Sequence, residues 1–199
     1  KVSGHLVGVW LLVAEHLRLG TWDLWRGWTG RPTERAEPRL ALQLVHEAAL
    51  CTTGIRSDRT LTHRGGFELA AGLPFVASDS TIHDLLAERS VEDSRKLQVA
   101  LGQLRRASGD YRGKVLAIDP HRVRSYSQRQ MRMHAKKSSE KPIKTGQTFW
   151  LLDADTEQPV CFTTATSSRT VAQVTPQLLR MADEIFGPQR ETLMLLADM

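Results

Sequence analysis

The sequence predicts a mixed α+β (α/β) chain: a helical amino-terminal part, then a partial mixed sheet in the order strand, strand, strand, helix, strand. Three observations carry this reading. Apolar residues recur at helical spacing through the first 110 residues. After Gly113 the pattern changes to short unbroken apolar runs bounded by turn residues, beginning with Val115-Leu116-Ala117-Ile118. A strongly basic segment separates the first of those runs from the second. The expected division is a helical domain over 1–110 and a sheet domain over 111–199 with a basic insert at 120–146.

The helices follow from periodicity and punctuation. Leu6 to Leu19 is an apolar helix stopped by Gly20, and Thr21 is placed to cap a short helix with Trp22, Trp25 and Trp28 along one side. At that spacing the tryptophans read as a packing stripe before a base-stacking one. Arg39 to Thr53 is amphipathic, with Leu40, Leu44, Ala48 and Cys51 on one face and Gly54 as its stop. Thr60 to Ala71 is a further helix. Ser78-Asp79-Ser80-Thr81 supplies capping residues ahead of Ile82, Leu85 and Leu86, and Glu92 to Ala107 turns Leu97, Leu101 and Leu104 inward. The two short helices between Leu69 and Ala87 are spaced as a weak helix-turn-helix candidate whose second helix is not basic.

The strands are read the same way. Val115 to Ile118 runs into Asp119-Pro120, Thr148 to Leu152 is a second strand, Asp153 to Pro159 its turn, and Val160 to Thr164 the returning third. Asp153 and Asp155 read as turn residues. Thr175-Pro176 looks like a cap and first-turn proline for a helix through Leu178, Leu179, Ala182, Ile185 and Phe186, ended by Gly187-Pro188. Leu193 to Ala197 is a last buried strand, ending at Asp198.

Composition narrows the class. The two cysteines, Cys51 and Cys161, cannot build a disulfide scaffold or a four-thiolate zinc site, so a reducing cytoplasm is expected. The longest apolar run, Leu6 to Ala14, is far short of the roughly 20 residues of a membrane span, and no basic leader precedes it. P-loop, Rossmann, G-x-S-x-G and C-x-x-C signatures are all missing, which leaves ATPase, dehydrogenase, serine hydrolase and zinc-site readings without their main support. The histidines are scattered, without metal-ligand spacing.

The net charge of +5 is unevenly placed. Between Pro120 and Gly146 eight basic residues (Arg122, Arg124, Arg129, Arg132, Lys136, Lys137, Lys141, Lys144) face the single acid Glu140, for +7. Elsewhere nineteen basic residues face twenty-one acidic ones, for −2. With Tyr126, Ser127, Gln128, Gln130 and His134 interspersed, the segment suits phosphate and sugar contacts, and a nucleic-acid partner is expected.

Two apolar runs end in aspartate: Ala117-Ile118-Asp119 and Leu196-Ala197-Asp198. A hairpin adding antiparallel to one side of the first strand lets the helix cross back and lay the last strand parallel on its other side. Neighbouring strands lie about 4.8 Å apart, so the two carboxylates are expected side by side. Such a pair repels unless a hard divalent cation, Mg²⁺ or Mn²⁺, lies between them. Two such ions can activate a water or a 3′-hydroxyl in phosphodiester transfer.

On these residues the chain resembles an insertion-sequence transposase of the DDE type, whose catalytic core has the RNase H-like fold. The resemblance covers roughly residues 110–199 and rests on four features. These are Val115 to His121, the basic stretch Tyr126-Ser127-Gln128-Arg129 to Lys136-Lys137, the hairpin Gln147 to Phe162, and Leu195-Leu196-Ala197-Asp198. The amino-terminal half resembles the helical DNA-binding region of such enzymes only loosely. The family implies Asp119 and Asp198 as the first two acids of a catalytic triad and a two-metal Mg²⁺ or Mn²⁺ site when the triad is full. It further implies double-stranded DNA (transposon ends and target) as partner, a homodimer in the intact protein, no membrane, and a cytoplasmic, nucleoid-associated location. His121, Arg122, Arg124, Arg129, Arg132, His134, Lys136, Lys137, Lys141 and Lys144 are the expected DNA contacts. The third acid, a glutamate on a later helix, has no counterpart: Asp183 and Glu184 precede Asp198 on the wrong element. The 199 residues are therefore expected to be the front part of a transposase, with little strand transfer on their own. The alternatives are an RNase H-like nuclease, a degenerate DNA-binding relative, or a non-enzymatic helix-turn-helix regulator.

Overall fold

The computed structural model describes residues 7–30, 37–49, 76–126, 128, 130–131, 133–135, 141–187 and 194–197. The expected helix at Thr60–Ala71 and the first part of the helix-turn-helix candidate lie outside them. Two compact units are present, Lys1–Leu97 and Gln98–Met199.

The first unit is helical: α1 (Val7–Leu19), α2 (Thr21–Thr29), α3 (Glu37–Ala49), α4 (Asp79–Ala87) and the first part of α5 (Val91–Ala107). Gly20, at φ 60°, stops α1 and is also the N-cap of α2, without a side-chain cap bond. Only a residue free of Cβ strain adopts that left-handed conformation cheaply. Thr21 is thus not the cap; its hydroxyl lies 2.6 Å from His16 Nδ1. Trp25, Leu40, Ala41, Ala77, Ile82 and Leu85 form the core, with Trp28 packed against it, so two of the three tryptophans of the stripe pack in the core. The apolar face expected for α3 is only partly the buried one: Ala48 is exposed, whereas Gln43, His46 and Glu47 are buried. Those polar side chains tolerate burial because they are bonded. Gln43 Nε2 donates to Glu47 Oε1 (2.7 Å) and to the Ala77 carbonyl (3.1 Å), while Gln43 Oε1 accepts from the Ala77 amide (2.8 Å). The amide pair pins the segment before α4 onto α3, and Ser78 then caps α4 by accepting from the Thr81 amide.

The second unit is a mixed sheet of β1 (Val115–Arg124), β2 (Met133–His134), β3 (Ile143–Asp153), β4 (Gln158–Thr166) and β5 (Met194–Ala197), with α6 (Val171–Phe186) between β4 and β5. β3 pairs antiparallel with β1 and with β4, and β5 lies parallel on the other side of β1. The topology expected from the crossover argument is the one observed. α6 presents Val174, Leu178, Met181, Ala182, Ile185 and Phe186 to Leu116, Ile118, Phe149 and Leu151, and burying each large apolar side chain stabilises by roughly 1.5–3 kcal/mol. α6 begins earlier than Thr175-Pro176: Thr170 and Gln173 form a reciprocal capping box, and Pro176 sits inside the helix. The carboxy-terminal half of α5 belongs to this unit and covers the free edge of β4. Gln98 Oε1 accepts from the Phe162 amide (3.0 Å), and Arg105 Nη1 and the Tyr111 hydroxyl donate to the Pro159 carbonyl (2.8 and 3.1 Å). An edge paired this way offers no template for another strand. No described helix is long and apolar enough to cross a membrane.

Candidate functional site

The first expected catalytic acid is not at a strand end. β1 continues through Pro120 to Arg124, pairing Asp119 with Trp150, Pro120 with Phe149 and Arg124 with Thr145. Among the described residues β5 accompanies β1 from Val115 to Ile118, and Pro120 is paired there with β3 alone, a position that tolerates proline. The flanks of the basic insert are therefore strand, and Met133–His134 pairs with Ile143–Lys144 to extend the same ribbon. Apolar patterning could not show this, because the extension is polar on both faces.

Two-residue alternation sorts the site. Leu116 and Ile118 are buried toward α6; Asp119 falls in the other register, with Ala117 and His121, and is exposed. Trp150 lies directly across from it and Phe162 across from Trp150, the two rings 4.7 Å apart. A small cleft of about 120 Å³ adjoins these rings, lined by Gln98, Leu101, Arg105 and Tyr111 among others. Among the described residues the last pair of the parallel β1–β5 ladder is Ile118 opposite Ala197. The next residue in each strand's sequence is an aspartate, Asp119 and Asp198; Asp198 lies outside the described residues.

The expected DNA contacts divide. His121 shares the register of Asp119, whereas Arg122 and Arg124 take the opposite one. All three are exposed, as is Lys141, and Lys144 is half-buried. The Arg124 guanidinium lies 5.2 Å from the centre of the Tyr126 ring. His134 is placed by its pairing with Ile143, and Arg129, Arg132, Lys136 and Lys137 lie outside the described residues. On β1 the two arginines thus share one register, opposite to that of Asp119.

Asp155 is a turn residue, as expected, whereas Asp153 is the last residue of β3, paired with Leu116 and Gln158. Wholly buried Asp153 accepts from the Gly113 amide at Oδ2 (2.8 Å) and from the Asp155 and Thr156 amides at Oδ1 (3.1 and 3.2 Å). Asp155 Oδ2 accepts from the Lys114 amide (3.0 Å). The β3–β4 turn is thereby tied to the entry of β1, which holds Asp119's strand in place. Cys161 is buried and its thiol is pushed up to about 12 by desolvation, so it is an inert core group.

One pair escapes sequence reading altogether. His16 of α1 and His46 of α3, thirty residues apart, approach to 3.1 Å between their Nε2 atoms. Burial lowers the basicity of both; for His46, with the charge of His16 adding to the effect, the value falls to about 4. Only helix packing makes them neighbours. Among the described residues no group of three His, Cys, Asp or Glu side chains is placed to hold a metal. No family model, curated protein or solved structure matches the chain.

Proposed function

We propose that this chain belongs to a DDE-type DNA transposase, with an RNase H-like sheet, Asp119 and Asp198 as ligands of a divalent cation, and a basic ribbon that binds DNA. The observation that carries the reading is the parallel ladder of β1 and β5, whose last pair, Ile118 and Ala197, immediately precedes an aspartate in each sequence. The sheet order, with an antiparallel hairpin on one side of β1 and the post-helix strand on the other, supports it. So does the excess of cations from Arg122 to Lys144.

Both proposed ligands are carboxylates, the hard oxygen donors that Mg²⁺ and Mn²⁺ take. A cation bound there would supply Lewis-acid activation of a water or 3′-hydroxyl for phosphodiester transfer. The chain's own contribution is to hold Asp119 on a core-anchored strand beside β5, which precedes Asp198 in the sequence, and to neutralise phosphates along the ribbon. Mn²⁺ titration of the full chain is the test. Binding that disappears in both Asp119→Asn and Asp198→Asn is expected, while DNA affinity persists in each. Equal Mn²⁺ affinity in wild type and Asp119→Asn overturns the catalytic reading; with DNA affinity intact, that result leaves a DNA-binding relative without catalysis.

A further inference from the structure

We propose that His16 and His46 form a second metal site, in the helical unit, selective for a divalent transition metal of the zinc class. The site is independent of Asp119 and of the reading above. Its basis is convergence: the two Nε2 atoms stand 3.1 Å apart, with the rings tilted by 44° and their centroids 5.2 Å apart. Two imidazoles bound to a tetrahedral zinc at about 2.0–2.1 Å each hold their nitrogens about 3.3 Å apart. The nitrogen separation is thus within a few tenths of an ångström of that of two zinc-bound imidazoles.

The surroundings fit that use. His16 Nδ1 lies 2.6 Å from Thr21 Oγ1, and the Thr21 hydroxyl is aimed at the His16 carbonyl oxygen (3.5 Å). In the tautomer in which Oγ1 accepts from Nδ1–H, Nε2 of His16 carries the lone pair. An outer hydrogen bond of this kind fixes ring and tautomer in metal-binding histidines. Burial keeps both rings neutral at neutral pH, the form that ligates. Imidazole nitrogens favour Zn²⁺, Co²⁺, Ni²⁺ and Cu²⁺ over Mg²⁺, so the two sites separate by metal hardness. The pair supplies two donors, and water completes the coordination.

The test uses the tag-free full chain, stripped with chelator and titrated at pH 7.5 with Co²⁺ and then Zn²⁺, by visible absorption, calorimetry and imidazole ¹⁵N NMR. One saturable equivalent is expected, with Zn²⁺ displacing Co²⁺ and the resonances of His16 and His46 moving first among the seven histidines. Thr21→Val should weaken it about 10–100-fold, His16→Gln should abolish it, and Asp119→Asn should leave it unchanged. Lack of saturable binding by the wild-type chain overturns the site and leaves a plain N–H···N hydrogen bond. So does binding that shifts other histidines and persists in His16→Gln. The NMR readout needs no variant, so a poorly folding His46 substitution does not blunt the test.

Discussion

Gly113 shows how tightly single positions are set around β1. A Cβ built there would stand 2.0 Å from Asp153 Oδ1 and 2.7 Å from Asp155 Oδ2. Neither carboxylate is loose: Asp153 is wholly buried and fixed by three amides. Gly113→Ala must displace one of them, and we expect a loss of about 2–3 kcal/mol from overpacking and a disturbed buried hydrogen-bond set. Urea unfolding of the two chains measures it; a change under about 0.5 kcal/mol would show that the turn relaxes. Asp119 is the opposite case. Its side chain is exposed, so Asp119→Asn is expected to shift stability by no more than about 0.5 kcal/mol while removing Mn²⁺ binding. That separation makes it a clean probe of the proposed metal site.

At the level of elements, the packing of α1 on α3 brings a proton-linked pair into the core of the helical unit. His46 is wholly buried and His16 partly so. Desolvation lowers both, His46 to about 4, while Glu15 pulls His16 the other way. Because the folded-state values lie below the unfolded value of 6.5, the unfolded chain binds protons first as pH falls. In metal-free protein, stability is therefore full above about pH 6.5 and declines from there toward pH 4, by on the order of 2 kcal/mol for the pair. Chemical denaturation of the helical unit from pH 4 to 8, with His46→Gln as comparison, reads this out. A flat profile in the wild-type chain would contradict the burial argument. The same helix shows why an apolar stripe alone misplaces a buried face: Gln43 enters the core because the Ala77 backbone receives its amide.

For the whole molecule, charge distribution dictates the prediction. The +7 from Pro120 to Gly146 lies on a body of net −2. If seven phosphates are neutralised, log affinity for duplex DNA falls against log salt with a slope near −6. Deleting Arg122–Lys144 should remove most of that affinity, but it also removes paired strand, so charge reversal at exposed Arg122, Arg124 and Lys141 is the gentler comparison. Filter binding or fluorescence anisotropy across a salt series decides it. A salt-independent affinity would exclude the ribbon as the interface, and binding retained by residues 1–110 alone would favour the helix-turn-helix regulator.

What the sequence determined by itself is local. Gly20 and Gly187 stop their helices, Ser78 caps α4, and unbroken apolar runs mark β1, β3, β4 and β5, because each signal depends on neighbours within a few residues. The strand order was also legible, since short connections and one crossover helix leave few topologies. Tertiary structure decided the rest. It carried β1 through Pro120, where cross-strand pairing rather than hydrophobicity supplies the energy, and so moved Asp119 from strand end to mid-strand. It also set the arginines of β1 in the register opposite to Asp119 and joined His16 to His46 across thirty residues. Polar residues carry no burial signal of their own. Their partners are chosen by packing between distant segments, and a single chain read in order does not display that packing.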